Sequence, residues 1–152
     1  MTTSDGISKE DWDTIHEIAA DMVNAADGDR ARHKHRLLVY LDQLQIKYGP
    51  RPSILATRAD YVDDDDPLRE QFLHQAHALA ESTGDKLNLL CVAQSLVELY
   101  LEAKRLVDAD VWLNRMRQYL DDRDNAEYSN EYERLRLEYR RLAIKPAGSL
   151  ND

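Results

Sequence analysis

Cysteine is almost missing from this chain: Cys91 is the only one in 152 residues. No internal disulfide can form, and a reducing, cytoplasmic setting is the expectation. Cys91 sits in an apolar segment and reads as a small buried filler. Glycine and proline are sparse as well, five and four residues. They fall at boundaries: Gly28, Gly49 and Gly84 suit helix ends, and Pro52 and Pro67 suit first turns. Strand-type alternation is lacking, so no sheet is expected. No apolar run approaches the ~20 residues that span a bilayer. Met1–Ser8 has neither the basic nor the apolar stretch of a secretory leader. Basic charge is in deficit, 20 Lys and Arg against 29 Asp and Glu, for a net charge of −9. That balance speaks against nucleic acid and anionic membrane surfaces as general partners and favours basic ones.

What is present is helical periodicity. At 43% hydrophobic residues the chain can bury a core as a single domain. Its centre is Leu87–Leu120. Leu89, Val92, Ala93, Leu96, Leu99, Tyr100 and Ala103 repeat on one helical face. Leu90, Val97 and Leu101 widen it, leaving Asn88, Ser95, Glu98 and Glu102 as a narrow polar stripe. A helix so apolar calls for neighbours on several sides. After a polar break, Leu106, Ala109, Leu113, Met116 and Leu120 mark a second helix, and the two form an antiparallel hairpin.

Five further helices are predicted. The first begins at an N-cap, Ser8, carries Trp12, Ile15, Ala19, Met22 and Ala26 inward, and ends at Asp27-Gly28-Asp29. The second spans Arg30–Tyr48, with Leu37, Leu41, Leu44 and Tyr48 inward. The third covers Pro52–Val62, with Leu55, Ala59 and Val62 on one side. The fourth covers Pro67–Thr83, with Leu68, Phe72, Ala76, Leu79 and Ala80 inward. The last spans Asn125–Ala143, with Tyr128, Tyr132, Leu135, Tyr139 and Leu142 on one face and Arg134, Arg136, Arg140 and Arg141 on the other. Residues 1–8 read as a disordered start, 9–144 as one helical repeat domain and 145–152 as a flexible tail.

Three of the helices share an aromatic-Leu-x-x-apolar pattern: Tyr40-Leu41 with Leu44, Phe72-Leu73 with Ala76, and Trp112-Leu113 with Met116. The spacing is that of helix-pair repeats. Leu96, Tyr100, Ala109, Leu113 and Met116 fall where a tetratricopeptide repeat places its Leu, Tyr, first small residue, large apolar residue and second small residue. Leu87–Asp121 therefore resembles one such repeat, with Ala93, Val97 and Asp121 departing from its usual Trp, small residue and Pro. The resemblance implies an all-α right-handed superhelix: seven antiparallel helices in three pairs, closed by a C-terminal capping helix. It implies a concave groove for a peptide or protein surface. Gln94 and Glu98 would face that groove from the fifth helix, and Arg58 would be their counterpart on the third.

Local chemistry is sparse. Asp63–Asp66 lacks the alternating ligands, glycine and distal glutamate of a calcium loop and reads as an N-cap cluster. Glu70, His74, His77 and Glu81 share helical spacing without HExxH or Glu-x-x-His, and read as a solvated face rather than a metal site. His33-Lys34-His35, within the basic run Arg30–Arg36, reads as an exposed helix start. No phosphate loop, nucleophile elbow or CxxC appears. The expectation is a non-enzymatic interaction scaffold with no cofactor, no metal and no catalytic residue, binding a protein or peptide, with a basic one favoured by charge. The alternatives are a helical-bundle enzyme or small-ligand or metal-binding protein, and a nucleic-acid adaptor acting through the arginines of the last helix.

Overall fold

The computed structural model describes residues 2–62, 65–120 and 126–149. Among them are seven helices: α1 (Lys9–Asn24), α2 (Asp27–Tyr48), α3 (Pro52–Asp60), α4 (Asp66–Thr83), α5 (Lys86–Glu102), α6 (Leu106–Tyr119) and α7 (Ala126–Ser149). No strand forms among these residues; an isolated bridge joins Thr2 and Ser8. Among the described residues no helix is long and apolar enough to cross a membrane. The chain divides into two compact units, Met1–Asn88 and Leu89–Asp152, with the division in the first turn of α5.

In the first unit α1 packs on α2, α2 on α3, and α3 on α4. The Ser8 hydroxyl accepts from the Asp11 amide at 3.2 Å, capping α1 and satisfying one of its orphan donors. Ile15, Ile18 and Met22 are its buried stripe. The helix stops at Asn24, and Ala26 is instead the N-cap of α2. Its carbonyl accepts from the Asp29 and Arg30 amides at 2.8 and 3.2 Å. Asp27-Gly28-Asp29 thus opens a helix rather than closing one. The reason is electrostatic: carboxylates are favoured at a helix N-terminus, and that preference outweighs the glycine as a stop.

Leu37, Leu41 and Leu44 face inward from α2. They meet Ile15, Ile18, Ile54 and Ile7 in one core, flanked by Trp12, Leu38, Tyr40, Tyr48 and Tyr61. Ile7 corrects the expectation of a disordered start. Its side chain is 0% exposed. Around it Thr3 and Ile7 pair through the backbone at 2.8 Å, and the Asp5 carboxylate accepts from the Ser53 amide at 2.8 Å, capping α3 across the unit. One deeply buried isoleucine and a long-range cap hold a stretch that is otherwise polar.

Asp65 caps α4, accepting from the Leu68 amide at 3.0 Å, as the acidic cluster suggested; Asp63 and Asp64 lie outside the described residues. The buried face of α4 is Leu73, Ala76, His77 and Ala80, while Leu68, Phe72 and Leu79 are half-buried. The core face is rotated toward His77, which is 6% exposed. The solvated face drawn through Glu70, His74, His77 and Glu81 is therefore corrected at His77. The Asp85 carboxylate caps α5 at the Asn88 amide, 3.1 Å away. The Asn88 side chain donates to Asp85 and to Ser4 at 2.7 and 3.0 Å. Asn88, assigned to the polar stripe, is buried with these bonds satisfied.

The second unit holds the rest of α5 with α6 and α7. The apolar face of α5 is buried from Leu89 to Leu101, with Leu96 and Val97 at 0% exposure. Ala103, past the helix end, is exposed. Ala109, Trp112, Leu113 and Met116 are buried on α6, and Tyr132 and Leu135 on α7, which packs on α6. The three repeated segments place Leu41, Leu73 and Leu113, and Leu44, Ala76 and Met116, in buried positions. Cys91, expected to be buried, is half-buried, its sulfur 3.0 Å from the Tyr128 hydroxyl. The backbone of α7 stays helical to Ser149, so the expected tail from residue 145 is helical as far as that residue.

Candidate functional site

The polar stripe of α5 supplies the first half of the site. Gln94 and Glu98 are one turn apart, and the Gln94 amide donates to the Glu98 carboxylate at 3.1 Å. Glu102 follows one turn later, and Leu101 beside it is buried. The second half comes from α7. Arg134 reaches Glu98 at 3.4 Å and is held more closely by Glu131 on its own helix, at 2.7 Å and 3.0 Å. Arg141 forks onto Glu138 in the same way, its Nε 3.0 Å from one carboxylate oxygen. Between the two helices lies an open cleft of about 340 Å³, lined by Glu98, Leu101, Glu102, Arg134, Leu135 and Glu138.

Electrostatics follow from these pairs. The Glu131 carboxylate, with Glu98 and Glu138 adding to it, strengthens the hold of Arg134 on its proton. Arg141 keeps the Glu138 carboxyl below the ordinary carboxylate range. The cleft lining carries three carboxylates, Glu98, Glu102 and Glu138, and one guanidinium, Arg134. Leu101 and Leu135, 6% and 2% exposed, give the cleft an apolar floor. A floor of hydrocarbon under a rim of carboxylates suits a cation on an aliphatic stem.

Of the residues assigned to a groove, Gln94 and Glu98 come together here. Arg58 belongs to the first unit, where its guanidinium pairs with Asp42 of α2. That ion pair gives Arg58 a structural role within its own unit. Sequence reading missed Arg134 as a partner of Glu98, and Glu102 and Glu138 as its neighbours in the cleft lining. Helical spacing shows which residues share a face, and nothing in it reveals that α7 lies against α5.

The other candidates resolve locally. His74 lies 3.6 Å from Glu70, an i,i+4 pair on α4. Among the described residues no group of three or more His, Cys, Asp or Glu is placed to hold a metal ion. In the basic run of α2, Arg32 meets Asp29 at 3.7 Å and Arg36 meets Asp21 at 3.3 Å. On α7, Arg136 lies 3.7 Å from Asp110, so three of the four arginines on that face already meet acids.

A second polar cluster, unforeseen from sequence, surrounds Asp11. Its carboxylate accepts from Lys47 at 2.8 Å, from Tyr40 at 3.0 Å and from Tyr48. Lys47 first and Tyr48 next drive the Asp11 carboxyl far below the ordinary carboxylate range. A carboxylate held so firmly in its charged form ties α1 to α2 and is a poor proton carrier. Burial pushes the Tyr128 phenol up, and the neighbouring Cys91 adds to it.

No protein-family model matches the chain. No curated protein and no solved structure matches it either.

Proposed function

We propose that the chain is a non-enzymatic protein-interaction module, built on tetratricopeptide-like helix pairs, that takes a Lys- or Arg-bearing segment of a partner in the cleft between α5 and α7. The observation that carries the reading is the cleft itself: Glu98, Glu102 and Glu138 above Leu101 and Leu135. Two features support the repeat architecture. Leu96, Tyr100, Leu113 and Met116, which carry the resemblance, are all at most 2% exposed. The three aromatic-Leu segments also present equivalent buried positions. The net charge of −9 steers basic partners toward the chain. A cytoplasmic setting belongs to the same reading, since a single cysteine suits a reducing compartment.

The test is a titration of the full chain with a fluorescent nonapeptide carrying three lysines and three arginines, followed by anisotropy. Saturable binding that weakens as salt rises through the Debye-screening range is the expected result. Glu98→Gln should weaken it severalfold without lowering the melting temperature. A Glu98→Gln protein that binds normally yet melts well below the wild type makes Glu98 a structural partner of Arg134 and removes the proposal.

A further inference from the structure

Apart from the cleft of the second unit, we infer that the groove between α1 and α2 docks an extended segment of a partner protein in which a carboxylate stands two residues from an aliphatic side chain. The groove is open and has a volume of about 450 Å³; His35, Arg36, Val39 and Gln43 line it from α2, and Ile18 lines it from α1. Ile18, 2% exposed, is its floor, and Val39 beside it is 40% exposed. Thr14 and Tyr40 complete the lining and are engaged within the unit. The threonine hydroxyl donates to the Glu10 carbonyl at 3.0 Å, and the tyrosine hydroxyl donates to the Asp11 carboxylate at 3.0 Å. His35 and Gln43 are exposed and have no hydrogen-bond partner among the described residues.

Charge selects the partner. Among the described residues no carboxylate lines this groove, in a chain of net charge −9. Its cation is Arg36, the last residue of the basic run of α2. Arg36 gives Nη1 to Asp21 at 3.3 Å, an exposed pair outside the lining. A guanidinium carries several further N–H donors, so an incoming carboxylate meets those while Asp21 keeps its own. Arg36 therefore serves without losing its partner. Its planar fork suits a carboxylate better than any other anion of a protein chain. His35, one residue earlier, adds an imidazole hydrogen bond.

Spacing selects its form. His35, Val39 and Gln43 follow one another every fourth residue on one face of α2, about 6 Å apart along the helix axis. An extended chain brings every second side chain to the same side at about 6.6 Å. A segment laid along α2 thus sets an aliphatic side chain on Val39 and Ile18 and a carboxylate at Arg36, two residues away. Gln43 lies one step beyond Val39 on the other side. Its amide both donates and accepts, as the backbone of an extended segment requires.

The experiment uses the full chain, labelled for NMR, with a capped Gly-Ser-Leu-Ser-Glu-Ser-Gly peptide and the same peptide in reversed order. Counterparts carry Gln for Glu or Gly for Leu. One of the two orders should give saturable shifts at Val39, Tyr40 and Gln43, and its counterparts should bind roughly two- to fivefold more weakly, the size of an exposed ion pair or a partly exposed apolar contact. Arg36→Gln and Val39→Ser should each weaken the intact peptide by a similar factor. Val107→Ser, at a valine 81% exposed and outside the lining, should leave it unchanged. Equal binding of the Glu and Gln peptides, or wild-type affinity in Arg36→Gln, refutes the inference. So does the absence of saturable shifts with both orders. Hexanoate saturating the same residues as tightly as the peptide would make the occupant a free carboxylic acid. Shifts that grow with protein concentration, without peptide, would make it a second copy of the chain. Either outcome overturns the docked segment. The basic nonapeptide is titrated separately, so the groove and the α5–α7 cleft stand or fall on different measurements.

Discussion

Tyr48 closes the N-terminus of α1 from the far end of α2: its hydroxyl donates to the Asp11 carboxylate while accepting from the Ser8 amide at 3.2 Å. One side chain thus serves both the cap residue and the acid three positions on. Lys47, its neighbour, completes the cluster at 2.8 Å. The pairing joins two helices at the point where a helix start would otherwise leave donors and a charge to solvent.

This cluster makes a pH-dependent contribution of definite sign. The Asp11 carboxyl is held below its ordinary range in the folded chain. Its stabilisation is complete above the unfolded value of about 4 and fades as pH falls through the lower folded value. Tyr48→Phe should cost about 1–2 kcal/mol at pH 7, one hydrogen bond to a charged group. The difference from wild type should shrink as the pH is lowered from 5 toward 2, read from thermal melts across that interval. A difference that stays constant over the whole range would show that Tyr48 acts through packing alone.

Residues 2–8 are part of the fold, so shortening one side chain there should be felt. Ile7→Ala should lower stability by about 2–4 kcal/mol, as for a fully buried aliphatic residue. Urea denaturation measures it. A stretch lying outside the fold would show no change.

Two helices end in the same motif with different residues. After α4, Gly84 takes φ 67°, and the Asp85 amide bonds back to Ala80 at 2.9 Å. After α5, Lys104 takes φ 57°, and the Arg105 amide bonds back to Tyr100 at 2.9 Å. The left-handed conformation suits glycine and strains lysine. Lys104→Gly should therefore stabilise by about 1 kcal/mol. Gly84→Ala should destabilise by a similar amount, about 1 kcal/mol, through the backbone alone. No neighbouring atom lies within 4 Å of the added methyl. Denaturant midpoints of the two variants, moving in opposite directions, are the check.

Leu96 carries the resemblance to a helical repeat and is 0% exposed. Leu96→Ala should cost about 2–5 kcal/mol. An unchanged melting curve would place Leu96 outside the core and remove the residue alignment on which the repeat reading rests.

Much of the secondary structure was legible because its causes are local. Leu37, Leu41 and Leu44 repeat at helical spacing, and they are the buried stripe of α2. Ser8 caps the first helix and Asp65 the fourth through bonds three residues long. Where two local signals competed, reading failed. Asp27-Gly28-Asp29 offered a glycine stop and acidic starts together, and the acids prevailed. On α4 the apolar pattern allowed the core to lie toward Phe72 or toward Leu73, and the neighbours chose the face that buries His77. Ile7 stood alone in a polar stretch, with no periodicity to mark it.

The candidate site divides along the same line. The sequence by itself determined that α5 is apolar on most sides, with Glu98 and Glu102 on its polar stripe, and that Gln94 lies one turn before Glu98, since helix geometry places i and i+4 together. It also determined that Glu131, Arg134, Glu138 and Arg141 can pair along α7. Only the tertiary structure decided that these two stripes face each other, that Arg134 spans them at 3.4 Å, and that Arg58 pairs with Asp42. Helical periodicity fixes which side chains share a face. Which faces then meet depends on the packing of whole helices, a sum of many weak contacts between residues far apart in the chain.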